Sequence, residues 1–543
     1  MGTARARWAP ILEGVFRNYS VVFVVLIAVA AFDAVPGVRS RFAWFGAAWV
    51  AIALARAWSR EEAPEFPNAN RTVILVGLAL AVGVALLWRL LRLAHGPMTE
   101  GYDWGFYKFA FQTYEDSAPR IPEGELPPWI RLQFEPLLPL LHMALHLVAG
   151  LDAETHLRLL FPLLSSFLCV GVYAAARSAF GPTAALVSAG FYAASLTQLS
   201  VHQYLYEKNV LGLALLLALF VALPRRAWVA SGLLLGALAV THRPTLLLAA
   251  VAVAAYATLD LVRTRAWKGW ALMAGTSLPL FLPIWMLRRD DYFGLGLRTV
   301  AAAGDSVGSA SPEAGGTFLN FLQYQAAAAA YLPLATAGAF LLWRRSRLTI
   351  LCFLLALANV VAQFVFYNRF IIMLDLVALT LAGASLLCVT PGRPRWVRPG
   401  AALTLVLLAA VPTVLEAQSP QGPPHVWVDE RQMEGIRWLK EHAPADATVL
   451  ASNLDAPYVL AESGRRTFAP GLLDDPHTGQ EWRAFFTEQD AGEVRAFLAP
   501  YGRDVFVYHA EGHGPGLGTS KFTEPDFRLV YDEGRAKVWQ FAA

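Results

Sequence analysis

Three cations stand where an apolar run should not tolerate them. His242 and Arg243 in THRPT, and Arg369 in YNRF, interrupt stretches dominated by Leu, Ala, Val and Ile. In hydrocarbon such a group needs a carboxylate, a water-filled cavity or a lipid phosphate, and the guanidinium fork suits phosphate because it offers paired donors. Reaching out to the headgroups would satisfy each one singly. Carboxylates mark the ends of other apolar runs. Asp103 lies in GYDWGFYKFAF, flanked by Tyr102, Trp104 and Tyr107; Glu207 lies in HQYLYEKN beside Lys208; Asp290 and Asp291 follow Arg288 and Arg289. A carboxylate at such a place can accept a proton, ligate a hard cation or stay solvated in an ion pair. The tandem acids beside tandem arginines read as a solvated charge cluster.

The elements that position these groups follow from composition. Of 543 residues 56% are hydrophobic and 16% charged, whereas a soluble domain carries about 25% charged residues. The excess is gathered into runs long enough for a bilayer core, which excludes an ordinary soluble globule. Expected spans are 18–36, 41–57, 72–94, 157–176, 183–200, 207–223, 227–241, 244–262, 267–287, 325–343, 348–367, 369–390 and 397–416. The N-terminal run, preceded by Arg5, Arg7 and Arg17, reads as an uncleaved first helix. Cys169, Cys352 and Cys388 fall inside apolar runs and read as small hydrophobes. Lys and Arg concentrate in every second loop: Arg225 with Arg226, Arg263 with Arg265 and Lys268, Arg344 with Arg345 and Arg347, Arg393 with Arg395 and Arg398. Positive loops stay cytoplasmic, so the N-terminus is expected inside and everything after residue 418 outside. This parity holds if the short run 136–150, EPLLPLLHMALHLVAG without its first residue, lies at the interface and does not cross. Residues 96–156 then form a first external loop and 288–324 a later one. The stretch from Gly96 to Glu135 holds seven acids against three Lys or Arg, in keeping with an external position.

Beyond residue 418 the pattern changes to that of a soluble α/β domain, residues 418–543 against a membrane domain of residues 1–417. DERQMEGIRWLKEHAP predicts an amphipathic helix stopped by Pro444, ATVLAS (447–452) and DVFVYHA (504–510) predict buried strands, and FRLVYDEGRAKVWQF (527–541) predicts a hairpin. The glycine-rich EGHGPGLGTS lacks the terminal Lys-Ser or Lys-Thr of a phosphate-binding loop and reads as a connection.

The order of these pieces resembles the GT-C superfamily, membrane glycosyltransferases of the mannosyltransferase and aminoarabinose-transferase kind that take sugar from a polyprenyl-phosphate carrier. GYDWGFYKFAF after a span, EPLLPLLHMALHLVAG, RLLFPLLSSFLCVGVYAAARSAFG, SGLLLGALAVTHRPTLLL, YNRFIIMLDLVALTLAG and GIRWLKEHAPADATVLAS carry the resemblance over most of the chain. It implies a polytopic helical fold of about thirteen spans with an external α/β tail, and transfer of a sugar to a glycan, lipid or protein acceptor. Asp103 would be the catalytic base, with Tyr102, Trp104 and Tyr107 as a sugar-stacking rim. The family places an Asp-Glu pair in the first external loop, and here Trp104 follows the aspartate. Glu207 would position the acceptor or ligate a divalent cation, Mg or Mn, where one is used, and His242, Arg243 and Arg369 would bind the donor phosphate. The expected partners are the lipid-linked sugar, the acceptor and the bilayer of the cytoplasmic membrane; nucleic acid is not among them. Two other readings compete: a transporter or carrier-lipid flippase, which predicts broken helices and charges near the bilayer midplane, and an inactive relative that binds glycan or lipid.

Overall fold

The computed structural model describes residues 70–91, 101–122, 124–289, 321–362, 367–389, 397–417, 428–470, 472–473, 475–487, 490–511, 521–522 and 526–541. The runs expected to span at 18–36 and 41–57 and the acids Asp290 and Asp291 lie outside these residues. The helices that position the functional groups are α1 (Arg71–Leu90), α2 (Trp104–Ser117), α3 (Leu137–Ala149), α4 (Ala153–Phe180, with a π turn over His156–Leu160), α5 (Pro182–Ala194), α6 (Leu196–Gln203), α7 (Glu207–Ala222), α8 (Arg243–Thr264), α9 (Trp267–Leu287), α10 (Tyr367–Val389), α11 (Val397–Ala417), α12 (Glu430–His442) and α13 (Ala456–Ser463).

The protein is a polytopic helical membrane protein. Among the described residues six helices are long and apolar enough to cross a membrane, seven if α5 and α6 count as one bent span. Packing forms two compact units, and the first comprises residues up to Leu90, Pro162–Val201 and Glu207–Pro420. Its helices show how lipid selects a pattern. In α1 the stripe Ile74, Ala81, Ala85 and Arg89 is buried, while Leu75, Leu80 and Leu87 are exposed as lipid-facing side chains must be. Helix α10 is buried along its whole apolar length and packs on α5 and on Leu332–Leu341 and Arg347–Val361. Small residues permit that closeness: a Cβ on Gly383 would stand 2.3 Å from the Ala184 carbonyl oxygen. Two expected spans are interrupted. The run 325–343 forms Phe321–Ala327 and Leu332–Leu341 with turns between, where Pro333 opens the second helix. The run 183–200 breaks at Ser195 into α5 and α6, which meet at 51°.

The second unit gathers Leu91–Phe161, His202–Tyr206 and the chain from Gln421 onward. A five-stranded sheet forms its soluble centre, β1 (Thr448–Leu450), β2 (Arg466–Phe468), β3 (Val505–Ala510), β4 (Phe527–Glu533) and β5 (Ala536–Phe541), in the order β2-β1-β3-β5-β4. β1 pairs in parallel with β2 and β3, and β5 runs antiparallel to β3 and β4. The β4–β5 hairpin turns at Gly534, whose φ of 64° suits glycine. α12 begins with a capping box between Asp429 and Gln432 and lays Met433, Ile436 and Leu439 on the sheet. The helix α3 occupies the run 136–150; its thirteen residues span roughly 20 Å, short of a 30 Å core, and it packs on α2. Segment 101–161 shares this unit with the α/β sheet, α2 packing on α13, so the compact units follow packing where hydropathy draws a boundary near residue 418.

Candidate active site

In the second unit Asp103 stands immediately before α2 with φ −77° and ψ −2°, and its side chain does not cap the helix it precedes. The backbone around it is held from several sides. Gly101 adopts φ +91°, and a Cβ there would stand 2.6 Å from Leu205 Cβ and 3.0 Å from the Gln203 carbonyl oxygen. The Tyr458 hydroxyl of α13 donates to the Gly101 carbonyl at 2.8 Å. Gly105, in the first turn of α2, touches the backbone that opens α13, since a Cβ would lie 1.9 Å from the Pro457 carbonyl oxygen. Helix α2 can dock there only because position 105 has no side chain. Trp104 stacks on Tyr458 with centroids 5.9 Å apart, and Lys108 lies 4.5 Å over the Trp104 ring while pairing with Glu154 at 2.9 Å and Glu462 at 2.6 Å. Tyr107 is buried edge-on to Phe134. The faces of Trp104 and Tyr107 are thus engaged in packing, and Tyr102 is the half-buried aromatic beside the carboxylate. Burial first, and the Asp103 charge second, hold the Tyr102 hydroxyl well above its usual range.

At the far end of α2 lies a group that sequence reading missed. Glu115 Oε1 is 2.8 Å from His142 Nε2, and His142 Nδ1 is 2.8 Å from His156 Nδ1, with Phe111 stacked 4.3 Å from the His142 ring. With Glu115 ionised, one neutral arrangement satisfies both contacts: His156 Nδ1–H donates to His142 Nδ1, and His142 Nε2–H donates to the carboxylate. Burial, then His156 and His146, push His142 from 6.5 down to about 3, and burial raises Glu115. Both nitrogens of His142 are occupied, and among the described residues no group of three or more His, Cys, Asp or Glu is arranged to hold a metal.

The first unit carries the other expected residues. Glu207 is buried in the first turn of α7, where a carboxylate also complements the positive end of the helix dipole. His242 is buried at the N-cap of α8, with Nδ1 2.7 Å from Thr245 Oγ1, and α7 touches it through Gly212, where a Cβ would lie 3.0 Å from His242 Cβ. Arg243 is the first residue of α8 and Arg369 the third of α10, both half-buried. Each guanidinium is thereby carried on a helix N-terminus, where backbone N–H groups point toward an anion.

A second missed network lies in the interior of this unit. Asp375 of α10 accepts from Ser195 Oγ at 2.9 Å, Gln198 Nε2 at 2.9 Å and the Tyr331 hydroxyl. Arg89 of α1 donates to Ser165 Oγ at 2.8 Å, the Ala85 carbonyl at 2.8 Å, the Tyr192 hydroxyl at 3.2 Å and the Gln198 carbonyl at 3.4 Å.

Three solved structures are similar to this fold. An oligosaccharyltransferase from Archaeoglobus fulgidus aligns over 81% of this chain and 70% of its own, with TM-score 0.59 and 13% identity. ArnT from Cupriavidus metallidurans, bound to undecaprenyl phosphate, aligns over 88% and 99%, with TM-score 0.57 and 13% identity. The mycobacterial arabinofuranosyltransferase AftD aligns over 88% of this chain and 40% of its own, with TM-score 0.51 and 14% identity. The chain has the GT-C fold. No family model matches its sequence, and no curated protein is similar to it in sequence. The GT-C likeness is thus one of helix order and packing, at an identity where side-chain roles must be argued from the residues themselves.

Proposed function

We propose that this protein is a membrane glycosyltransferase that moves a sugar from a polyprenyl-phosphate carrier to a glycan, lipid or protein acceptor at the external face of the cytoplasmic membrane. The observation that carries the reading is the GT-C fold over four fifths of the chain. Its solved neighbours include ArnT with undecaprenyl phosphate and the archaeal AglB with a dolichol-phosphate and an inhibitory peptide. Here the carrier phosphate would be met by Arg243 and Arg369, each adding its donor fork to the positive end of a helix, and by His242, next to Arg243 in sequence. Asp103 would take the proton of the acceptor hydroxyl as that oxygen attacks the anomeric carbon and the sugar–phosphate bond breaks. The tight seating of Gly101 and Gly105 fixes the backbone on both sides of Asp103. Tyr102 is the aromatic best placed to face a sugar, and Glu207 would orient the acceptor. A divalent cation, Mg or Mn, would need further ligands besides Glu207. In this reading residues 1–417 form the membrane domain and 418–543 the external one.

One observation favours a second reading: the broken pair α5–α6 beside the buried Asp375 is also a feature of transporters. Purified protein in lipid nanodiscs, given radiolabelled polyprenyl-phosphate sugars with and without divalent cation, separates the two. Label appearing on an acceptor supports transfer. Movement of the intact lipid-linked sugar across proteoliposomes, with no label transferred, would replace glycosyl transfer by transport.

A further inference from the structure

Both interrupted spans of the first unit meet at one carboxylate. The run 183–200 breaks at Ser195, and the run 325–343 turns through residues 328–331 between Phe321–Ala327 and Leu332–Leu341. Irregular backbone inside a span is tolerated where protein buries it or where it lines a site. Asp375 of α10 joins the two breaks: it accepts from Ser195 Oγ and Gln198 Nε2, each at 2.9 Å, and from the Tyr331 hydroxyl. The carboxylate is fully buried, about 12 Å along the axis from the start of α10.

Three donors aimed at one carboxyl group suit its ionised form, which only accepts. That charge meets no opposite one in the protein. Among the described residues no Lys, Arg or His pairs with Asp375, and the Arg89 guanidinium is bonded to Ser165, Tyr192 and the carbonyls of Ala85 and Gln198. The N-terminus of α6 offsets about half a unit of charge at most, while the C-terminus of α5 at the same break carries the opposite sign. Two neutral oxygens add to the negative potential. Gln198 Oε1, on the amide that bonds Asp375, and the Tyr324 hydroxyl, within electrostatic reach of the carboxylate, are buried and make no hydrogen bond among the described residues. One carboxylate with neutral oxygens around it is the ligand chemistry of a hard cation. Charge sets the valence: a monovalent ion leaves the interior neutral, whereas a divalent ion would leave a net charge there. We propose that Asp375, Gln198 Oε1 and the hydroxyls of Tyr324 and Tyr331 form a binding site for an alkali cation, which ties α10 to the breaks in both interrupted spans. All four residues belong to the first unit, and the site depends on neither reading of the activity.

The test is direct binding of radioactive sodium, and in parallel of rubidium as a stand-in for potassium, to the purified protein in nanodiscs. One of the two should bind saturably and be displaced by the unlabelled ion but not by choline. Asp375→Asn, which keeps the size of the side chain but loses its charge, should lower affinity about a hundredfold or more. Tyr324→Phe separates binding from folding. It removes a buried hydroxyl that makes no hydrogen bond, so without the ion the protein should melt at the same temperature or higher, while affinity falls about three- to tenfold. Loss of folded protein would lower both together. The rise in melting temperature when the ion replaces choline at fixed ionic strength should shrink in the same order of variants. If Asp375→Asn fails to insert, Tyr324→Phe alone decides. Absence of saturable binding of either ion to the unaltered protein overturns the site, as does undiminished affinity in folded Asp375→Asn or Tyr324→Phe. An infrared carboxylic-acid band at neutral pH, present with the ion and removed by Asp375→Asn, would place a proton there and overturn it as well.

Discussion

Asp103→Asn separates catalysis from structure because the geometry makes the structural term small. Replacing an aspartate that caps a helix with its side chain commonly costs about 0.5–2 kcal/mol. Asp103 does not cap α2 with its side chain, and asparagine keeps its size and much of its hydrogen bonding, so the stability change should stay at the lower end of that range, about 1 kcal/mol or less. Loss of a general base costs about 10²- to 10⁴-fold in turnover, equivalent to roughly 2.7–5.4 kcal/mol of barrier at about 1.36 kcal/mol per decade. The catalytic loss therefore exceeds the structural one several times over. Asp116→Asn, at an exposed position of α2, is the matched control; Glu115 is unsuitable because it is bonded to buried His142. Purified variants in nanodiscs would be compared for turnover of radiolabelled lipid-linked sugar, for donor binding and for thermal unfolding. Near-normal turnover in Asp103→Asn would refute the assignment. So would a fall in unfolding temperature large enough to explain the lost activity.

Arg243→Gln and Arg369→Gln should each weaken donor-lipid binding by about ten- to a hundredfold, since a hydrogen bond to a charged group contributes about 1.5–3 kcal/mol; equal affinity in both variants, read by titration with the lipid phosphate, removes them from the donor site. His142 is buried neutral, its pKa lowered from 6.5 to about 3, so below pH 6.5 the unfolded chain binds a proton that the folded one does not, and stability is lost as pH falls toward 3, by at most about 1.4 kcal/mol per pH unit. Glu115, raised by burial, contributes the opposite sign as pH rises through its folded value. Unfolding of His142→Gln measured at pH 7 and pH 5 should accordingly show a smaller acid loss than the unaltered protein, and an equal loss would exclude His142 as the cause. Gly105→Ala should cost more than about 3 kcal/mol, because the new Cβ meets the Pro457 backbone at 1.9 Å and α2 must part from α13. Gly124→Ala, with open space around it, should be nearly neutral in the same thermal unfolding assay.

The residues that announce themselves locally were legible without coordinates. Apolar length implied membrane helices, alternation about Gly534 implied the β4–β5 hairpin, and the spacing of Met433, Ile436, Trp438 and Leu439 implied α12, because hydropathy and side-chain periodicity act within one element. Cations such as Arg243 and Arg369 were visible because they interrupt an apolar run. Arg89 was overlooked for the complementary reason: an arginine near a span end reads as one that reaches the headgroups, and only packing turns it inward onto Ser165, Tyr192 and Gln198. Asp375 finds Ser195 and Gln198 nearly 180 residues away, and Glu115 finds His142, which in turn meets His156 on another element. The bend at Ser195 has no proline or glycine to signal it, and the close seating of Gly105 on Pro457 joins segments some 350 residues apart. Sequence determined which stretches prefer lipid and which prefer water, a property each run carries by itself. Tertiary structure decided which polar groups those stretches must share, because a buried donor is satisfied by whichever acceptor packing brings within about 3 Å, and no local pattern records that choice.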